Sequence, residues 1–172
     1  LLNTMLFAQS FEKIKVFDDH DSTFPVRDHY AYNETYKNRQ FYSVDDGIHG
    51  MELWASNEGN TGAALLKDIN CGVGHSIPRS LTKCNGYLFF TVTTERQKLN
   101  YTIRELWRTD GSDTGTIKLL EYLPHHGLVD NIIITQDSLI TICSREANSS
   151  TIWQTDGTIS NTQELFKTPS GY

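Results

Sequence analysis

All three tryptophans of the chain stand at one position of a recurring string, and no other feature constrains the fold as strongly. The strings are Glu52-Leu53-Trp54, Glu105-Leu106-Trp107 and Thr151-Ile152-Trp153. Read forward without gaps, Trp54 leads to Asn57 and Gly62, Trp107 to Asp110 and Gly115, and Trp153 to Asp156 and Asn161. The same register reaches Leu66, Leu119 and Leu165, each inside an apolar run. Self-similarity at a spacing of about fifty residues is the mark of a copied and stacked supersecondary unit.

Glu-Leu-Trp reads as a short strand, which places Leu on one face and Trp on the other. A strand apolar on both faces needs cover on both sides, as a propeller blade has. Asp110-Gly111 and Asp156-Gly157 then turn the chain, Asp by bonding nearby backbone and Gly by supplying positive φ. Gly62 and Gly115 read as a second left-handed position, with Asn161 as the tolerant non-glycine counterpart. Upstream, Lys37-Asn38, Cys84-Asn85-Gly86 and Gln136-Asp137-Ser138 are turn signals, and an alternating apolar run follows each.

First strands are expected near Asp28–Tyr32, Ile77–Thr82 and Leu128–Thr135, and fourth strands at Ala63–Ile69, Ile117–Leu123 and Thr162–Thr168. Lys13–Phe17 is similar to Leu65–Ile69 and reads as an extra fourth-type strand. The loop between second and third strands is expected to vary most, from Asp45–Gly50 to a longer Thr93–Ile103. The sequence thus predicts an all-β chain, a β-propeller-like array of about three four-stranded antiparallel blades. They fall at about 13–69, 70–123 and 124–168, after a segment 1–12, in one repeat domain spanning 1–172.

At these residues the chain resembles the Glu-Leu-Trp-x-x-Asp-Gly-Thr repeat family. The matching stretches are Asp45–Trp54, Arg104–Gly111, Leu66–Ile69 and Trp153–Thr158, and the likeness covers about 13–168. The resemblance implies propeller-like arrays in secreted or surface-exposed proteins, and it implies no catalytic activity or catalytic residues. The chain departs from the pattern where Asn57-Glu58 replaces Asp-Gly and where Thr151 replaces the Glu of Glu-Leu-Trp.

A net charge of −6 without Lys or Arg runs disfavours nucleic acid and anionic membrane as partners. No apolar stretch approaches the ~20 residues of a spanning helix, so membrane insertion is not expected. Leu1–Gln9 reads either as an N-terminal packing segment or as the tail of a secretion signal. Cys71, Cys84 and Cys143 are too few for a disulfide framework, and three buried thiols are favoured over one bridge.

No catalytic constellation, cofactor motif or metal set stands out. Asp45-Asp46, Asp18-Asp19-His20-Asp21 and the turn aspartates lack the dense alternation of a calcium loop. His49, His75 and the adjacent His125-His126 lack zinc-like spacing, and Gly72-Val73-Gly74 lacks the helix that phosphate binding requires. Asn33, Asn100 and Asn148 head glycosylation sequons.

The expected function is a non-enzymatic extracellular or surface module serving structure, adhesion or assembly. Its expected partners are a second copy, further blades or another protein, with glycan as a further candidate. A ligand-binding or enzymatic propeller is the alternative, and it requires Asp, His or Arg residues to converge on one face, for instance His29, His75 and His125 from successive inter-blade loops.

Overall fold

A computed structural model describes residues 33–57, 62–96, 101–122, 132–135, 140–145 and 150–168. All regular structure among them is β, in twelve strands. The first sheet comprises β1 (Asn33–Tyr36), β2 (Arg39–Asp45), β3 (Met51–Ser56) and β4 (Ala63–Lys67). The second holds β5 (Arg79–Cys84), β6 (Tyr87–Arg96), β7 (Tyr101–Thr109) and β8 (Ile117–Tyr122). The third holds β9 (Ile132–Ile134), β10 (Ile140–Arg145), β11 (Ser150–Thr155) and β12 (Gln163–Lys167). Each is a four-stranded antiparallel meander in chain order, and no sheet closes on itself. The expected strands at Lys13–Phe17 and Asp28–Tyr32 lie outside the described residues.

The first hairpins of two sheets turn alike. Lys37 and Asn38 have φ of 48° and 60°, and Asn85 and Gly86 have 48° and 73°. Two consecutive left-handed residues make the two-residue turn whose twist suits a β-hairpin. The third and fourth strands also agree in detail. Register slips between Leu53 and Trp54, between Leu106 and Trp107, and between Ile152 and Trp153. Leu53 faces Lys67 while Trp54 faces Leu65, so Leu66 is the extra residue of a β-bulge, and Leu119 and Leu165 are its counterparts.

Two expectations need correction. The long second-sheet connection is mostly strand, because β6 and β7 stay paired out to Arg96 and Tyr101. The described parts of Thr93–Ile103, residues 93–96 and 101–103, are therefore paired strand, rich in β-branched residues. Gly62, Gly115 and Asn161 are also absent from the left-handed positions, which among glycines are Gly47, Gly50, Gly72, Gly86, Gly111 and Gly157. Space explains Gly115 instead. A Cβ there would lie 2.0 Å from the Asp110 carboxylate, which occupies the room a side chain would take.

The core lies between sheets. Tyr36, Phe41, Leu53 and Ala55 of the first sheet meet Leu88, Phe90 and Val92 of the second, with Leu66 and Trp107 packed alongside. On the opposite face of the second sheet, Phe89, Leu106 and Leu119 meet Ile132 of the third. Alternation delivers this: Phe89 and Phe90 are adjacent, both fully buried, and serve different seams. First strands are neighbours too, β1 beside β5 and β5 beside β9.

Candidate functional site: the seams between sheets

The turns after the second and third tryptophan strands each carry a dense set of hydrogen bonds. In the second sheet, Asp110 Oδ1 accepts the Ser112 N–H at 2.9 Å and the Ser112 hydroxyl at 2.6 Å. The Gly111 N–H donates to the Thr109 hydroxyl, which meets the Thr116 hydroxyl at 2.8 Å. The third sheet repeats the set. Asp156 Oδ1 accepts the Thr158 N–H and hydroxyl, Gly157 donates to Thr155, and Thr155 meets Thr162 at 2.7 Å. These bonds hold both carboxyls below the usual aspartate range, with Ser112 the main cause at Asp110 and Asn161 with Thr158 at Asp156. Asn161 also shows why glycine is dispensable in the third sheet, since its amide donates to Asp156 Oδ2 at 2.7 Å.

The turn glycines then seat on the preceding sheet. Gly111 has φ of 98° and lies over Arg39, Tyr36 and Phe41. Gly157 has φ of 100° and lies over Tyr87 and Phe89. Register makes Arg39 and Tyr87 equivalent, Phe41 and Phe89 equivalent, and Ala55 and Arg108 equivalent. One guanidinium reaches each glycine carbonyl. Arg39 Nη1 donates to Gly111 O at 2.8 Å, and Arg108 Nε donates to Gly157 O. The two arginines come from different strands, β2 in one case and β7 in the other. Each lies over an aromatic ring, Arg39 5.7 Å from the Phe41 centroid and Arg108 3.9 Å from that of Tyr87.

The first seam has further cross-links. Tyr36 donates its hydroxyl to Gly86 O, and Lys37 Nζ donates to Asp110 O at 3.1 Å. Lys83 pairs with Glu34 and Lys67 with Asp113, both at 3.1 Å.

The glutamates before the tryptophans carry a role that the spacing alone did not reveal. Glu52 is fully buried and gathers the connection between the first two sheets. It accepts the N–H of Ile69 at 2.9 Å and of Ser76 at 3.1 Å, and the Ser76 hydroxyl at 2.6 Å. Burial pushes its carboxyl above the ordinary glutamate range, against the pull of these donors. The anchored segment includes Ile77, whose φ of 46° is costly for a β-branched residue. Glu105 is used differently, accepting Trp107 Nε1–H at 2.7 Å and Lys118 Nζ at 2.9 Å. A buried acid among apolar strand residues is a readable signal, because it needs donors from elsewhere.

Among the other candidates, Asp45 and Asp46 make turn bonds to Gly47, Ile48 and His49. The Asp46 carboxylate, 2.6 Å from His49 Nδ1, holds that imidazole above its usual range. His75 Nδ1 accepts the Met51 N–H at 2.9 Å, so its ring is part of the connection. His29, His125, His126 and Asp18–Asp21 lie outside the described residues, as do Asn100 and Asn148. Asn33 opens β1 and is exposed. Cys71 is exposed and Cys84 half-buried, both as free thiols, so burial of all three cysteines does not hold. Cys71 sits in a tight turn where the chain doubles back at Asp68, which leaves its side chain outside. Among the described residues, no cluster of His, Cys, Asp and Glu could hold a metal ion.

No family model matches the chain, and neither a curated protein nor a solved structure matches it.

Proposed function

We propose that the chain is a non-enzymatic extracellular or surface module whose sheets stack as blades of a propeller-like array, serving structure, adhesion or assembly. One observation carries this reading: the same seam occurs twice in succession, with a turn glycine seated on the preceding hairpin and a guanidinium on its carbonyl. A contact that joins each sheet to the next in chain order is additive, as in repeat proteins whose stability sums over neighbours. The neighbouring first strands support a radial arrangement, with β1, β5 and β9 innermost. Exposed Asn33 suits a glycan, which would accord with a secreted or surface location.

Native-state hydrogen exchange tests the modular reading. Gly157→Val is expected to strip protection from residues 150–168 while β1–β4 keep theirs. Loss of protection through all three sheets together would show a single cooperative body and defeat the array reading. Expression through a eukaryotic secretory route adds a second check, with a mass decrease on deglycosylation that disappears in Asn33→Gln if that site is used.

A further inference from the structure

The third sheet turns an apolar face away from the second. Opposed residues of an antiparallel pair share a face, and successive residues of a strand alternate between faces. Ile132 packs against the second sheet, so Ile133 stands on the other side, aligned through Thr141 with Gln154. Ile152 lies two residues from Gln154 and is aligned with Phe166, which brings both onto the same outer face. The bulge residue Leu165 joins them, as Leu119 joins Leu106 in the second sheet. This face is open: Ile133, Leu165 and Phe166 are 54%, 57% and 54% exposed, and Ile152 is half-buried. Its counterparts in the first two sheets are covered. Leu53 and Leu106, in the place of Ile152, are buried, and so is Leu119, in the place of Leu165.

The first sheet shows the complementary deficit on its own outer face. Tyr42 and Val44 stand in register with Phe90 and Val92, which are fully buried between the first two sheets, yet both are only half-buried. The turn chemistry of the two faces also matches. By the register of the copied string, Leu139 takes the place of Arg39 and Gln154 that of Arg108, so neither place that supplies a guanidinium is basic in the third copy. In the first copy Glu58 takes the place of Gly111 and Gly157, the glycines whose carbonyls those guanidinium groups meet. A face without the cation thus corresponds to a turn without the glycine.

We propose that the open face of the third sheet receives the first sheet of a second copy of this chain, and that two copies close a ring. Three sheets in each of two copies make six, within the about four to eight that typically close a propeller. Each copy uses both outer faces once, and a two-fold axis relates the two new seams. A sheet with the Asp-Gly turn fits this face less well, because its glycine carbonyl would find no guanidinium there. The pairing rests on the blade reading proposed above and names what covers its last face.

Sedimentation velocity on the intact chain, over a wide concentration range, tests the ring. The expected species is a dimer that grows no further. Phe166→Asp places an unpaired charge in both new seams and should weaken the dimer by roughly a hundredfold, and Tyr42→Asp should do the same from the other side. Mixed together, the two variants should associate more tightly than either does alone. An unchanged third sheet then meets an unchanged first sheet once. Phe166 is exposed, so its substitution leaves folding intact. Tyr42 is half-buried, so retained exchange protection in β2 and β3 verifies the fold of its variant. Tyr42→Ser is the milder second variant, with a loss of roughly tenfold. A monomer at every concentration overturns the ring, and so does an assembly that keeps growing. Tyr42 variants that dimerise like the parent chain overturn it too, as does a mixture no tighter than its components. Each of these results leaves the modular reading in place, because Gly157→Val and exchange within one chain decide that.

Discussion

The seam between the first and second sheets and the seam between the second and third use the same parts in different proportion. Among the described residues, the first is rich in polar cross-links, with Tyr36, Lys37, Arg39, Lys67 and Lys83 all reaching across. Its glycine sits loosely, with a Cβ on Gly111 meeting nothing nearer than 3.8 Å. The second relies on close fit, since a Cβ on Gly157 would lie 3.0 Å from Tyr87 and 3.2 Å from Phe89. The guanidinium is common to both, but it is delivered from opposite partners of the β2–β3 type pair. What the seam requires is a cation at one point in space over an aromatic ring, and two strand positions can supply it.

The largest effect should come from the shared aromatic. Phe41→Ala and Phe89→Ala each open a cavity at a fully buried site, for a loss of about 3–5 kcal/mol in chemical denaturation. Near-equal losses would mean that the two seams bear similar apolar load despite their polar difference.

The glycines should separate the seams. Both alanine variants pay for an unfavourable backbone, about 1–3 kcal/mol, but Gly157→Ala also strikes Tyr87 and Phe89. Gly157→Ala should therefore lower the denaturation midpoint more than Gly111→Ala. Equal midpoints would remove the distinction between a tight and a loose seam.

The interchange of arginines gives a sharper comparison. Arg108→Ala should cost about 1.5–3 kcal/mol, as expected for a charge-assisted bond in a half-buried site. Adding Tyr87→Arg rebuilds in the second seam the arrangement of the first, and part of that loss should return. A double variant no more stable than Arg108→Ala would show that the two positions are not interchangeable.

The smallest effect is one of pH. Burial raises the Glu52 carboxyl, so the folded chain holds that proton more tightly than the unfolded chain does. The stabilisation from protonation is lost as pH rises from the ordinary glutamate range through the raised folded value. Asp110 and Asp156 act in the opposite sense, and their lowered values contribute stability that is lost as pH falls below the ordinary aspartate range. Urea midpoints should thus rise modestly on acidification from neutrality and then fall. Glu52→Gln should reduce the first limb to the part that the raised His49 contributes and leave the second.

Much of the sheet order was legible because it is local. Alternating runs bounded by Asn-Gly and Asp-Gly turns place strands without any tertiary knowledge, whereas the bulge at Leu66, Leu119 and Leu165 is seen only in the pairing. The seam was not legible. Arg39 and Arg108 stand on non-equivalent strands of their sheets, and only packed sheets bring both onto a glycine carbonyl. Gly115 was misread for a related reason. A string shows that a side chain is missing, and only coordinates show that Asp110 fills the place. The burial of Glu52 was hidden because its donors at Ile69 and Ser76 lie beyond the fourth strand.

The plain sequential order of strands bears on how such a chain emerges from a ribosome. Every strand among the described residues pairs with one next to it in the chain, so each sheet's ladder involves only local contacts, and chains dominated by local contacts fold fast. The first sheet can form before the second has been synthesised, and domains and their subunits generally fold in N-to-C order. Until Leu88 and Phe90 arrive, however, Phe41 and Leu53 lack the second-sheet part of their cover. The vulnerable interval of biosynthesis is therefore set by the residues between Lys67 and Tyr87, the stretch that Glu52 draws into place.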